Sequence, residues 1–556
     1  MAIVKNAPLY NTSTQQDFNL DSYLSLYTTA DSSNVAENTN TSVFRSDNYS
    51  SYGYTLVSSE DLIYDSGLGR ITVQTAGDYF IYVSGPVTIT GGGAMGKMAI
   101  VKNGSTGVAE NGKGVRIFDV AEDPEDLATH TILTLAAGDY IEVSVNFDDI
   151  TSGDTVVGVM EHGWHITMLK LNGDWGTVRY TADADRTSAA ASSIDLFDVP
   201  ANNGTISTAS KNMTFVAAEG AFTTVAAGTY MMFSTLMFKA AATSSPPTGA
   251  GGFHKFALAG SSIDELSMGW HANADDNKLT EMSLLKEGIT VSQTIKARYQ
   301  SDDQDFTAQN GSCFSVFQIG SWAPSGGSAG VVLGPRLGFG ANESNSDDFA
   351  DATSDSGTNI FHQDNWGGGI TTTETTAGAG LIFSPITGRL SLSEPGDYFV
   401  SVSVGTISQD TGPAANNAFY VKKNGVTVYE STHRSHEDGD PENLTIALIL
   451  RSEGGTDYYS FHLNEFDGYV DDGTTLSVFK LNNRIKTDEE NQFDRFHRGD
   501  FTSDKHNKQN NRHQYKRVID HIPMKLGVRG PISLRGRRTS NYSSDIPPNV
   551  GKGKKD

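Results

Sequence analysis

Cysteine is nearly absent: Cys313 is the only one in 556 residues, which excludes a disulfide framework and a thiolate zinc site. Long hydrophobic runs are absent as well. No stretch approaches the roughly 18 apolar residues of a membrane-spanning helix, so no membrane insertion is expected. The opening Met1-Ala2-Ile3-Val4-Lys5 lacks the apolar region of a secretory signal, and synthesis in a cytoplasm is expected. Helix formers are scarce too. Charged residues make up 19%, while Gly alone numbers 58 and Ser, Thr, Asn and Asp fill much of the rest. That composition argues against a helical bundle or coiled-coil rod and for an all-β chain rich in turns. Leu20–Leu26 and Thr280–Lys286 are the two brief helical candidates.

The length exceeds one ordinary core and predicts three or four domains. Charge is unevenly spread over them. Residues 484–556 hold 17 Lys and Arg against 9 Asp and Glu, a balance of +8. The other residues hold 24 against 57, a balance of −33. Such a body repels nucleic acid and anionic membranes, whereas the tail suits an acidic partner.

An internal repeat organises the body. Gly77-Asp78-Tyr79, Gly228-Thr229-Tyr230 and Gly396-Asp397-Tyr398 each open an apolar run, at intervals of 151 and 168 residues. A second landmark follows at nearly constant distance: Gly138-Asp139-Tyr140 after 61 residues, Gly288-Ile289-Thr290 after 60, and Gly455-Thr456-Asp457-Tyr458 after 59. Each copy closes on a similar strand, at His165–Leu171, Phe314–Ile319 and Leu476–Leu481. Between the landmarks, Lys102-Asn103-Gly104 and Lys423-Asn424-Gly425 are hairpin signals, with Gly260-Ser261-Ser262 in their place in the second copy. Period-2 alternation with Gly, Asn and Asp turns predicts a β-sandwich for each copy.

These landmarks resemble the jelly roll of tumour necrosis factors and complement globular heads, modules found widely in virion proteins of tailed bacteriophages. The resemblance covers roughly residues 43–483 and is weaker in the second copy, where Thr229 replaces the Asp. It implies a ten-stranded jelly roll per copy and a tight homotrimer. The expected organisation is an N-terminal arm (1–42), three tandem jelly rolls (43–172, 173–322 and 323–483, the last with a Gly/Ser/Asp-rich lead-in) and a basic, largely irregular tail (484–556). Within the tail, Arg529, Ile532, Leu534, Arg535, Arg537 and Arg538 combine basic side chains with an apolar pair, a pattern suited to extended docking on another protein.

Motifs of catalysis and ligand binding find no supporting context. Gly326-Gly327-Ser328-Ala329-Gly330 matches a nucleophile elbow but lies in a Gly/Ser linker without an α/β sheet. Gly91, Gly93 and Gly96 match a dinucleotide loop, yet Lys97–Val101 reads as a strand where a helix is needed. His162 and His165 are three apart in a strand pattern and so face opposite sides. Asp148, Asp149 and Asp154, like Glu437, Asp438 and Asp440, lack the spacing of a calcium loop. Arg498-Gly499-Asp500 is too short to carry meaning. Trp175, Trp270, Trp322 and Trp366 lie near loops and read as core or interface residues as readily as sugar platforms.

No catalytic residue, metal or cofactor is therefore expected. The resemblance implies a non-enzymatic virion structural protein. That protein would be a homotrimer of three stacked jelly rolls per chain, held to other virion proteins by the tail or the arm. The alternative is a receptor-binding tail fibre or spike that recognises host glycans. It is disfavoured by the lack of heptads or shaft repeats and by a basic tail where a binding tip belongs.

Overall fold

Each Gly-x-Tyr landmark opens a long central strand, Gly77–Thr90, Gly228–Ala240 and Gly396–Ser408, in a computed structural model of the chain. The structure describes residues 20–481 except 21, 52, 91–93, 106–112, 119–123, 150–155, 187–192, 199–205, 241–249, 259–260, 273–276, 302–305, 322–335, 341–357, 363–373, 377–380, 409–415, 435–440, 465–467 and 471–473. The tail residues Arg529, Ile532, Leu534, Arg535, Arg537 and Arg538 lie outside the described residues, as do Ser328, Asp154, Trp322, Trp366 and the acidic group at Glu437.

The described residues form three β-sandwiches, all antiparallel. On one side of each central strand runs the closing strand of its copy: His165–Leu171, Cys313–Ser321 or Thr475–Lys480. On the other runs a long edge strand: Pro124–Leu135, Asn277–Ile289 or Pro441–Ser452. The second landmark leads into the second sheet, where Tyr140–Asp149, Thr294–Ser301 and Tyr458–Asn464 pair with Ala94–Lys102, Ala250–Leu258 and Asn416–Lys423. The sheets hold seven and six strands in the first two sandwiches and six and six in the third, so short added strands take each past the ten implied.

The two halves of the repeat signature meet at one turn. Asn103 (φ 51°) and Gly104 (φ 74°), like Asn424 (φ 53°) and Gly425 (φ 83°), take the left-handed backbone that a two-residue hairpin loop requires. The Asn side chain then bridges to the second landmark: Asn103 Nδ2 donates to Asp139 at 2.7 Å and Asn424 Nδ2 to Asp457 at 2.9 Å. Lys102 and Lys423 pair with the same carboxylates at 3.2 and 3.0 Å. The landmark tyrosines also repeat one bond. Tyr79, Tyr230 and Tyr398 each donate to the carbonyl four residues upstream, on Thr75, Ala226 and Glu394, at 2.6, 2.8 and 2.9 Å.

Three expectations need correction. The first sandwich begins before residue 43: Tyr23–Thr28 pairs with both His165–Leu171 and Tyr54–Ser58, and Thr41–Ser42 joins the second sheet. Both helical candidates are strands, in Tyr23–Thr28 and Asn277–Ile289. Their alternation is lost because both faces of the inner sheet are covered. Leu24 and Leu26 point into their own sandwich, whereas Tyr23 points into a core that all three sandwiches share.

That shared core is the third correction, because the sandwiches are not stacked in a row. Phe80, Met231 and Phe399 occupy equivalent positions on the three central strands. Opposite them stand Leu169, Phe317 and Phe479 on the closing strands, and Ile132, Leu285 and Ile449 on the edge strands. All nine are buried in one apolar cluster. Phe80 lies 4.7 Å from Phe233 and 4.8 Å from Phe317, ring centre to ring centre. Within one chain, the three sandwiches thus pack about a common core.

Candidate functional site at the junction of the three sandwiches

An edge strand leaves one row of backbone groups unpaired. Here each edge strand is completed by the next sandwich, in cyclic order. His130, Ser283 and Ala447 stand at equivalent edge positions, opposite Tyr82, Phe233 and Ser401. The His130 carbonyl accepts from Arg179 of the second sandwich at 2.7 Å. The Ser283 carbonyl accepts from Thr475 of the third at 2.8 Å. The Ala447 carbonyl accepts from Thr167 of the first at 2.6 Å. First to second, second to third, third to first: the seams close a ring, as heterologous contacts do when their rotation closes.

Below the apolar layer the junction turns polar. Glu281, wholly enclosed, lies 2.9 Å from the Tyr82 hydroxyl and accepts from Thr235 at 2.9 Å. Tyr82 is also 2.5 Å from the Thr445 carbonyl, and Thr235 is 3.0 Å from His130 Nδ1. Burial pushes Glu281 up to about 8. It drives His130 well below the ordinary histidine value, with the Arg179 charge acting in the same direction. Burial also lowers His165 to about 4; this ring sits 3.1 Å from the Tyr429 hydroxyl across the seam between the first and third sandwiches.

The acidic member of the repeat marker works at this ring. Asp78 accepts from the Trp175 indole at 3.0 Å and from Thr134 at 2.7 Å. Asp397 accepts from the Tyr23 hydroxyl at 2.5 Å and from both ends of the Arg451 fork at 2.7 and 2.8 Å. Tyr23 and Trp175 are equivalent, each facing the closing strand of its own sandwich at Leu169 or Phe317. Gly-Asp-Tyr is thus two devices: the Tyr fixes its own sandwich and the Asp ties it to the next. At Gly77 a Cβ would come within 2.6 Å of Lys170 Cε, so the side-chain-free position lets that lysine cross.

His162 and His165 do not share a site. His162 lies at the surface of the seam between the first and third sandwiches, 2.8 Å from Asp31 and 3.7 Å from Glu430, and the bond to Asp31 raises its pKa. Among the described residues no three His, Cys, Asp or Glu side chains converge on a metal-sized site. Cys313 is buried, 3.4 Å from the His130 carbonyl. Sequence reasoning missed Glu281, Tyr82 and His130. Their one visible signal was a charged residue within the apolar run Leu279–Leu285.

No protein-family model matches the chain, and no curated protein matches it. Among solved structures, that of Eiger TNF from S. frugiperda is similar at 13% identity, over 27% of this chain and 93% of its own, with a TM-score of 0.18.

Proposed function

We propose that this chain is a non-enzymatic structural protein of a tailed-bacteriophage particle, carried on the capsid surface or attached to the particle as a single-chain ring. The supporting observation is the cyclic closure. The polar side chains that cluster at the junction are sealed inside the ring and spent on joining its parts, with Glu281, His130 and Tyr82 all fully buried. A ring of this kind serves as a durable knob, and the tail at 484–556, with its balance of +8, serves to attach it to an acidic neighbour. Copy number and position in intact particles, read by imaging, test this reading. A chain lacking residues 484–556 is expected to keep its folded ring and to be lost from particles. Full occupancy by the truncated chain places attachment elsewhere, whereas a location at a tail tip with adsorption to host glycan favours a receptor-binding role.

A further inference from the structure

We propose that the carboxyl proton of Glu281 pins the three sandwiches together, so that the seams part when base removes that proton. Counting hydrogens at the junction requires the proton. The Tyr82 hydroxyl has one hydrogen and three polar neighbours, the Thr445 carbonyl oxygen at 2.5 Å, Glu281 Oε2 at 2.9 Å and the Ser84 hydroxyl, which can donate its own hydrogen to the phenol oxygen. A carbonyl oxygen only accepts, so the tyrosine hydrogen goes to Thr445. The contact to Oε2 then needs a hydrogen from the glutamic acid itself. At the other oxygen, Thr235 donates to Oε1 and accepts from His130 Nδ1 at 3.0 Å. His130 Nε2 is buried without a hydrogen-bond partner, which a neutral ring tolerates far better than an imidazolium. The bonds therefore run from His130 to Thr235, to Glu281, to Tyr82 and on to Thr445, passing through all three sandwiches.

The groups around Glu281 agree with that assignment. Asp126 and His130 face it from the first edge strand and Tyr82 from the first central strand. Cys313 and Arg179 stand on two strands of the second sandwich, and Tyr429 of the third is coupled to Tyr82. Arg179 is the one cation of this set, and it donates to the His130 carbonyl. Asp126 adds negative charge and favours the protonated acid further.

The sign follows from linkage. Glu281 is pushed from 4.5 up to about 8 in the closed ring, whereas an opened junction lets the carboxyl ionise at its ordinary value. The opened ring then holds one proton fewer. Through this group alone, each pH unit between those two values favours opening about tenfold, and the dependence levels off above them. Below the ordinary histidine value His130 and His165 act in the opposite sense, because burial keeps both rings neutral and opening lets them take up protons. Above it only the Glu281 dependence remains.

The Glu281→Gln variant of the full chain carries a permanent amide donor where the acid has its proton. Thermal melting of both proteins is compared from about pH 5 to about pH 9. The variant is expected to gain on the native chain as pH rises toward 8, with a constant gap beyond. His130, His162 and His165 titrate in both proteins and cancel in the comparison. A gap independent of pH overturns the proposal. Should the variant not fold, amide exchange on the native chain decides. The seam strands 124–135, 277–289 and 441–452 are expected to lose protection between about pH 7 and pH 8, where His130 and His165 are neutral whether the ring is open or closed, beyond the intrinsic rate change, while strand 140–149 of the second sheet keeps it. Equal changes in all four overturn the proposal.

Discussion

Tyr79, Tyr230 and Tyr398 show how one residue type is reused in three copies whose surroundings have diverged. Each hydroxyl reaches the carbonyl four residues back, so each Tyr→Phe variant loses that neutral hydrogen bond, and at Tyr79 a contact with Ser22 besides. A loss of about 1 kcal/mol apiece is expected in urea titrations, similar for the three sites. A markedly larger loss at Tyr230 would show that the weaker second copy leans more heavily on this bond. The Asp beside two of these tyrosines was legible as a marker but not as a tie between sandwiches. Its partners Trp175 and Tyr23 stand 97 and 374 residues away in the chain, and no local pattern announces such contacts.

At the scale of elements, strands with one wet face were the legible ones. The Lys-Asn-Gly hairpins and the strands after the second landmark follow from alternation and turn chemistry, whereas the closing strands were found by their resemblance to one another. Strands covered on both faces were harder to read, because Tyr23–Thr28 has six buried residues in a row and thus no period. The loop between Met160 and His165 shows how tightly such elements are pressed together. Gly163 has a φ of 96°, and a Cβ there would lie 2.6 Å from Ser431 Cα and 2.7 Å from the Glu430 carbonyl oxygen of the third sandwich. Gly163→Ala is expected to cost about 2 kcal/mol through overpacking and backbone strain. It should also speed amide exchange in Val426–Arg434 while leaving Tyr140–Asp149 protected. Equal exchange in both segments would mean that the seam tolerates the methyl group.

For the whole molecule, three jelly rolls were legible and their mutual arrangement was not. Repeats report that copies exist, whereas the ring depends on which faces are left apolar after each sandwich has folded. Because the inner sheets are used up within the chain, light scattering is expected to give the mass of one chain, 59.6 kDa, at micromolar concentration. A mass near three chains would mean that the outer sheets also associate. Fusion of the copies is also what permits the junction its chemistry. Three identical subunits would set three copies of Glu281 around one axis, where like charges oppose ionisation together and three acids compete for the same donors. In one chain the equivalent positions are Ala128, Glu281 and Thr445, opposite Ser84, Thr235 and Ser403.

The cyclic order of the seams carries a further consequence. An assembly of separate subunits dissociates on dilution, and its lifetime depends on how many neighbours remain in solution. Here the strand that leaves a seam stays tethered to its partner by the peptide chain, at an effective concentration that no dilution lowers. Opening is then reversible at any dilution, even for a single molecule in a large volume of water.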